Sequence, residues 1–448
     1  MSGLRFSSPG FGDLRAALLA DSTVEGCAAV FARWNRDASS WVVSDWEMAP
    51  EAAYERRDRV SAILRGAYLA DLANRSRTRG LSLVLAHTHP DAVGTPRFSP
   101  VDDAGEREMA TFLGRRAPVG GHLALVVGPL GCRCRLMGTG GDVPVWEIGE
   151  NAILRSGLGG TAAPSTEHDR QVRAFGALGQ AIMGDLDVVV VGAGGTGSVV
   201  LQQLAHLGVH HLTVVDPDVV ETTNLNRLVG ARPGDVGSAK VDVARRAVLA
   251  VNPRARVEAI RADIVDDATA AILPRFDFAF LCTDSHASRA VVNQAAYQHL
   301  VPTIDMGVSI TVGAEGVEHV NGRVQMLAPG MTCLTCTRAL DAERIRQEML
   351  TPEQRAADPY VQGVHEPQPA VISLNTTMAS LAVTMFLGAV TPVPSTARFL
   401  LYDGIRGTVR PTVARSHPHC IVCSPDGALA RGSQWPLPTR PAGGRVAA

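Results

Sequence analysis

Val188-Val189-Val190-Val191 runs directly into Gly192-Ala193-Gly194-Gly195-Thr196-Gly197, and no other stretch of the 448 residues restricts the fold as tightly. An unbroken β-branched run is the pattern of a strand covered on both faces in a parallel sheet. The glycines predict a tight turn opening a helix, and a second apolar strand is expected at 212–215, so the segment reads as a βαβ unit. Strands at 278–282 and 303–306 extend that sheet. Backbone N–H groups of such a loop face a phosphate or ribose. Asp216, about 20 residues on, stands where a carboxylate binds a ribose hydroxyl in any Rossmann-like fold, and up to this point a nicotinamide dehydrogenase fits equally well.

The residues that follow separate the two readings. Asp216-Pro217-Asp218 leads to Asn224-Leu225-Asn226-Arg227, then to Lys240, and Asp284 stands in Leu281-Cys282-Thr283-Asp284-Ser285. Hydride transfer has no need of an added arginine and lysine at the phosphates with a carboxylate for a metal. Nucleotidyl transfer does, because negative charge gathers on the pentavalent phosphorus and on the departing pyrophosphate. Lys240 is the single lysine among 42 basic residues. An arginine fork does not replace a compact ammonium at a crowded triphosphate.

With His168-Asp169-Arg170-Gln171 upstream, this pattern resembles the ThiF/MoeB/ubiquitin-activating superfamily over 167–424. The resemblance implies a Rossmann-like ATP-binding domain that uses ATP and magnesium. Gly192, Gly194, Gly195 and Gly197 would form the nucleotide loop, with Asp216 on the ribose. Asn224, Arg227 and Lys240 would bind the phosphates, and Asp284 the magnesium. Arg170 would reach the nucleotide of a neighbouring subunit, which implies a homodimer; Arg170, Arg227 and Lys240 are the expected catalytic residues.

Four of the eight cysteines form two CxxC pairs, Cys333 with Cys336 and Cys420 with Cys423. Four thiolates in two knuckles are the ligand set of a closed structural zinc site. Superfamily members that form a thioester place a nucleophilic cysteine after the first CxxC, and none stands between 337 and 370. Cys27, Cys132, Cys134 and Cys282 read as packed core thiols.

The N-terminal part carries a second constellation. His87-Thr88-His89-Pro90 falls at the end of an expected strand (81–86), and Ser99-Pro100-Val101-Asp102 opens an expected helix (102–115). Two imidazoles and a carboxylate bind zinc and leave a fourth position for water, as in a catalytic site. Residues two apart on a strand share a face, so both histidines reach one ion. Glu25, ahead of an expected strand at 27–31, is the candidate general base, with Glu47, Glu51 and Glu55 as alternatives, and Ser99 the candidate oxyanion donor. A glutamate, HxHP and SxxD together resemble the JAMM (JAB, MPN) metallopeptidases, which implies a cytidine-deaminase-like α/β fold with zinc on His87, His89 and Asp102. The loop from His89 to Asp102 is slightly longer than the commonest family form. A helix within 50–77, with Ile63, Ala67 and Leu72 near helical spacing, and strands at 123–127 and 132–137 complete the domain.

The expected organisation is therefore an α/β chain of two domains: 1–155, a linker at 156–166 (SGLGGTAAPST), 167–424, and a disordered tail at 425–448. A formal net charge of −2 gives no field for nucleic acid or membrane. Residues 1–22 lack a secretory pattern, so a cytoplasmic setting is expected. The apolar stretch 371–390 is interrupted by Asn375, Thr376, Thr377, Ser380 and Thr384 and reads as a buried helix. The expected function is adenylylation of the C-terminal carboxylate of a small ubiquitin-like protein, joined to zinc-dependent peptidase processing. A conjugating enzyme or acceptor protein would take the activated product. The alternative substrate is a sulfur-carrier protein or a ribosomal peptide.

Overall fold

The structure, a computed structural model, describes residues 3–8, 10–36, 38–156, 166–351, 354 and 369–440. The chain divides into two compact units, one from the residues up to Gly160 with Ala430–Trp435, the other from the remainder. Of the linker expected at 156–166, residues 157–165 lie outside the described residues.

A nine-stranded sheet forms the centre of the first unit. Its order is Ala152–Leu154, Val145–Ile148, Gly3–Ser7, Ser40–Met48, Cys27–Asn35, Ser82–Thr88, Leu123–Gly128, Gly131–Leu136 and Asp142–Val143. Alternate side chains serve opposite faces. Val30, Val84 and Leu125 pack with Phe11, Leu14 and Leu18 of helix Gly10–Leu18. Ala29, Phe31, Leu83 and Ala124 pack with Leu72 of helix Gly66–Arg79 and Leu113 of helix Pro100–Arg116. The result is a three-layer α/β unit. The helix expected within 50–77 begins only at Gly66; ahead of it lie the short turn Glu51–Ala53 and a hairpin of Tyr54–Arg57 with Ala62–Leu64. Ile63, expected on a helical stripe with Leu72, instead pairs across that hairpin with Arg56.

The second unit holds an eight-stranded sheet. Arg256–Ile260, His211–Val215, Asp187–Val191, Phe278–Leu281 and Thr303–Gly313 run parallel in that order. Gly316–Leu327, Phe399–Asp403 and Thr408–Pro411 continue the sheet antiparallel. The chain steps outward from Asp187–Val191 to Arg256–Ile260, then returns to lay Phe278–Leu281 on the other side of its first strand. Such a reversal opens a crevice at the carboxyl ends of the two central strands, which here are Val191 and Leu281.

Helix Ile372–Val390 is long and apolar enough to cross a membrane by length and composition alone. It packs on helix Gly197–His206 and on strands Thr303–Gly313 and Gly316–Leu327. Phe386 meets Phe278 edge-on at 4.8 Å, and Gln203 donates to Ser380. Residues 425–440 differ from the disordered tail expected there. Arg440 donates to Asp266 at 2.7 Å and to Asp263 at 3.3 Å, and its backbone N–H to the Val265 carbonyl at 2.7 Å.

Candidate active sites

The crevice of the second unit is a cavity of about 520 Å³. Gly192, Gly194, Gly195 and Thr196 form one wall, with Asp216 and Asp218, Arg227, Lys240, Asp263 and Asp284 around it. Gly192 has φ +95°, and a Cβ there would stand 2.9 Å from the Cys282 carbonyl carbon, so the turn requires glycine. Gly197 opens the helix, and a Cβ there would lie 1.8 Å from the Gly192 oxygen; its part is to close the loop rather than to line the cavity.

Asp216 is 5% exposed and accepts hydrogen bonds from the N–H groups of Ala193 (2.7 Å) and Asp218 (2.8 Å). Burial raises its carboxyl above the usual range, against the pull of Lys240. The carboxylate thereby ties the glycine loop to the next strand. Lys240 begins helix Lys240–Val251 and places its ammonium 2.7 Å from Asp218. Arg227 reaches the cavity with its guanidinium braced on the Thr223 carbonyl at 2.6 Å.

Two further expected residues lie outside the lining. Asn224 is buried but does not line the cavity; its side chain accepts from the Glu221 N–H, capping the short turn that delivers Arg227. Arg170 is exposed on helix Asp169–Asp185 and likewise is not in the lining. Four residues in or behind the wall were not anticipated. Arg289, five positions past Asp284, lines the cavity and pairs with fully buried Asp305, which also pairs with Arg323. Asn375 lines the cavity from helix Ile372–Val390. Its place as a polar residue in an apolar helix was the available signal.

Asp284 and the open cavity fit a magnesium-bound triphosphate, a hard cation beside a carboxylate oxygen. The two CxxC pairs converge in the same unit. Cys333 and Cys420 sulfurs are 3.6 Å apart, those of Cys336 and Cys423 3.7 Å, and all four lie within 4.8 Å. The thiols are free, and N–H groups of Cys336, Val422 and His417 point at three of the sulfurs. Such donors favour thiolates, so the set fits zinc.

In the first unit His87, His89 and Asp102 present ligand atoms within 4.8 Å of one another. His87 stands on strand Ser82–Thr88 beside Cys27 of the neighbouring strand, and Asp102 in the first turn of helix Pro100–Arg116. His87 Nε2 is buried 3.3 Å from Asp102 without a hydrogen bond of proper geometry, an unpartnered ring nitrogen whose lone pair a cation would satisfy. Burial acts to raise the Asp102 carboxyl, but His87 and the Ser99 N–H, which donates to it at 2.6 Å, outweigh it and hold the group well below the carboxylate range. Ser99 caps the helix, its hydroxyl accepting from the Asp102 N–H, which leaves the hydroxyl proton free to be donated. Glu25 is 8% exposed, with Oε1 3.8 Å from His89 Nε2. Burial pushes its carboxyl up to about 7, against the His87 charge. Of the alternative glutamates, Glu47 is bound by Arg75, and neither Glu51 nor Glu55 lines this pocket. Ile63, Leu64, Leu69 and Met109 supply its apolar wall.

The ThiF family model matches residues 168–422. A sulfur carrier protein adenylyltransferase from Thermus thermophilus is 32% identical over 250 residues, 55% of this chain and 86% of that protein. A molybdopterin-synthase adenylyltransferase from Salmonella typhimurium is 28% identical over 57% of this chain and 95% of its own length. Ubiquitin-like modifier-activating enzyme 5 of Oryza sativa is 31% identical over 35% of this chain and 38% of its own. The glycine loop, Asp216, Arg227, Lys240 and the four-cysteine cluster thus occur together inside the matched span or at its edge, and the chain belongs to the ThiF family of E1-like adenylyltransferases.

Proposed function

We propose that the second unit activates the C-terminal carboxylate of a small sulfur-carrier protein as an acyl-adenylate. The observation that carries this reading is the convergence of Arg227, Lys240 and Asp284 on one cavity, which Met306, Gly307 and Val308 also line. Asp216 holds the ribose, and Lys240 and Arg227 stabilise charge on the phosphates. Asp284 would hold magnesium, which would supply charge neutralisation at the phosphates. Ubiquitin-like conjugation, with a conjugating enzyme or acceptor, ranks second. The relatives matched over most of their length act on sulfur carriers or molybdopterin synthase by name, and no cysteine stands between 337 and 370 to form a thioester. Arg170, exposed and outside the lining of its own cavity, serves the partner's site in a homodimer.

The first unit, in this reading, is a zinc hydrolase of the JAMM type that trims the carrier's tail to a terminal glycine or releases the carrier from what it has been joined to. His87, His89 and Asp102 would hold zinc, which would supply Lewis acidity. Glu25 takes the water proton and passes it to the leaving amine, and Ser99 donates to the carbonyl oxygen. A tail-extended carrier protein incubated with the full chain and ATP tests both halves. Intact mass should report removal of the extension, and pyrophosphate should be released only with carriers that have a free terminal carboxylate. Pyrophosphate release from a carrier with an amidated terminus would contradict the carboxylate assignment.

A further inference from the structure

Helix Ile372–Val390 starts at the wall of the nucleotide cavity. Pro369 and Ala370 lead into it and line the cavity, as does Asn375 at the end of its first turn. Its N-cap is Val371, whose side chain offers no oxygen to the leading N–H groups. The positive end of the helix dipole is therefore left for an anion. Asn375 is 7% exposed, and among the described residues its carboxamide makes no hydrogen bond. The residue is buried but its amide opens on the cavity, so its hydrogen-bonding capacity is directed at whatever occupies the cavity. Its Nδ2 lies 2.3 Å from where a Cβ on Gly195 would stand, and the Arg227 side chain lies 3.3 Å from the same point. Carboxamide, arginine and glycine loop meet over one residue.

We infer that Asn375 is a catalytic donor of the adenylylation reaction, acting on a non-bridging oxygen of the α-phosphate, with the helix end behind it. The inference rests on the adenylylation reading. In that step a carboxylate oxygen of the tail forms a bond to the α-phosphorus. The bond from that phosphorus to the α,β-bridging oxygen breaks, and pyrophosphate leaves with the electron pair; no proton moves. Negative charge grows on the non-bridging oxygens between those events, so a donor aimed there acts more strongly in the transition state than on bound ATP. Gly195 has a second role in this arrangement: any side chain there would occupy the position of the amide.

The test uses the full chain, a small carrier protein ending in a free glycine, and the variants Asn375→Ala and Asn375→Gln. Exchange of pyrophosphate into ATP at saturating substrates should fall about 100-fold in Asn375→Ala, the loss typical of one oxyanion donor. Affinity for a non-hydrolysable ATP analogue should change less than about threefold, and Asn375→Gln, which keeps the donor, should recover part of the rate. A rate within about threefold of wild type in Asn375→Ala overturns the inference. So does an equal loss of analogue affinity and rate, or a lowered melting temperature with no recovery in Asn375→Gln, either of which assigns a binding or packing role. Absence of exchange in the wild type with such carriers overturns the underlying adenylylation reading, and is distinguishable because the wild type itself fails.

Discussion

Lys240→Met removes the one ammonium of the chain from a position where the free protein hardly needs it. Its partner Asp218 has a side chain 62% exposed, so the 2.7 Å ion pair is largely solvent-screened and contributes about 0–1 kcal/mol to stability. During reaction the same ammonium faces phosphate charge in a half-enclosed cavity. A unit charge about 4 Å away at an effective dielectric near 20 is worth about 4 kcal/mol, which matches the 10²–10³-fold loss seen when single transition-state donors are removed. Lys240→Met is therefore expected to lower kcat/KM for carrier-dependent pyrophosphate exchange by about 100- to 1,000-fold, with a melting temperature within a few degrees of wild type. Lys240→Arg should also lose at least about tenfold, because a planar fork does not occupy the space of an ammonium. Exchange at the wild-type rate in Lys240→Arg would refute the argument from ammonium shape. Full activity in Lys240→Met would remove the residue from the reaction.

The remaining predictions concern other parts of the chain. Glu25→Gln should keep the zinc of the first unit, measured by elemental analysis, while hydrolysis of a tail-extended carrier falls about 10²–10⁴-fold. Cys336→Ser should lose one zinc equivalent per chain and lower the melting temperature of the second unit, with the other zinc retained; an unchanged zinc content would separate the four cysteines from metal binding. Asp235 accepts two hydrogen bonds from Arg246 and one from the Arg232 N–H, and the Arg246 bonds lower its carboxyl to about 2. Its stabilising effect is complete above the ordinary carboxylate value and fades as pH falls through about 2. Asp235→Asn should melt below wild type at neutral pH, and thermal scans should find the gap closing near pH 2.

Much of the site was legible because it is local. The Val188 run, the glycine loop and Asp216 are consecutive parts of one βαβ unit, and HxHP with SxxD is two short segments whose ligands need only a strand end and a helix start. The parts that were hidden depend on pairing across long sequence distance. Arg289, Asp305 and Arg323 become a unit only when helix His286–Gln298 and strands Thr303–Gly313 and Gly316–Leu327 pack together. Asn375 looked like an interruption of an apolar stretch until the helix was placed against the glycine loop. The hairpin at 54–64 is too short and polar to carry a clear period, and the helical spacing of Ala67 and Leu72 drew Ile63 into the wrong element. Composition rich in Gly, Pro and Arg read as disorder after 425, but Arg440 has two carboxylates, Asp263 and Asp266, waiting for it.

Carrier-dependent exchange of labelled pyrophosphate into ATP is the most direct measure of the central claim. The account predicts exchange that requires a small sulfur-carrier protein with a free C-terminal glycine, requires magnesium, and is abolished in Lys240→Met. Exchange that proceeds without any carrier, or its absence with every such carrier while ATP still binds, would contradict activation of a carrier's carboxylate; exchange with a short peptide in place of the carrier would move the substrate to a peptide acid.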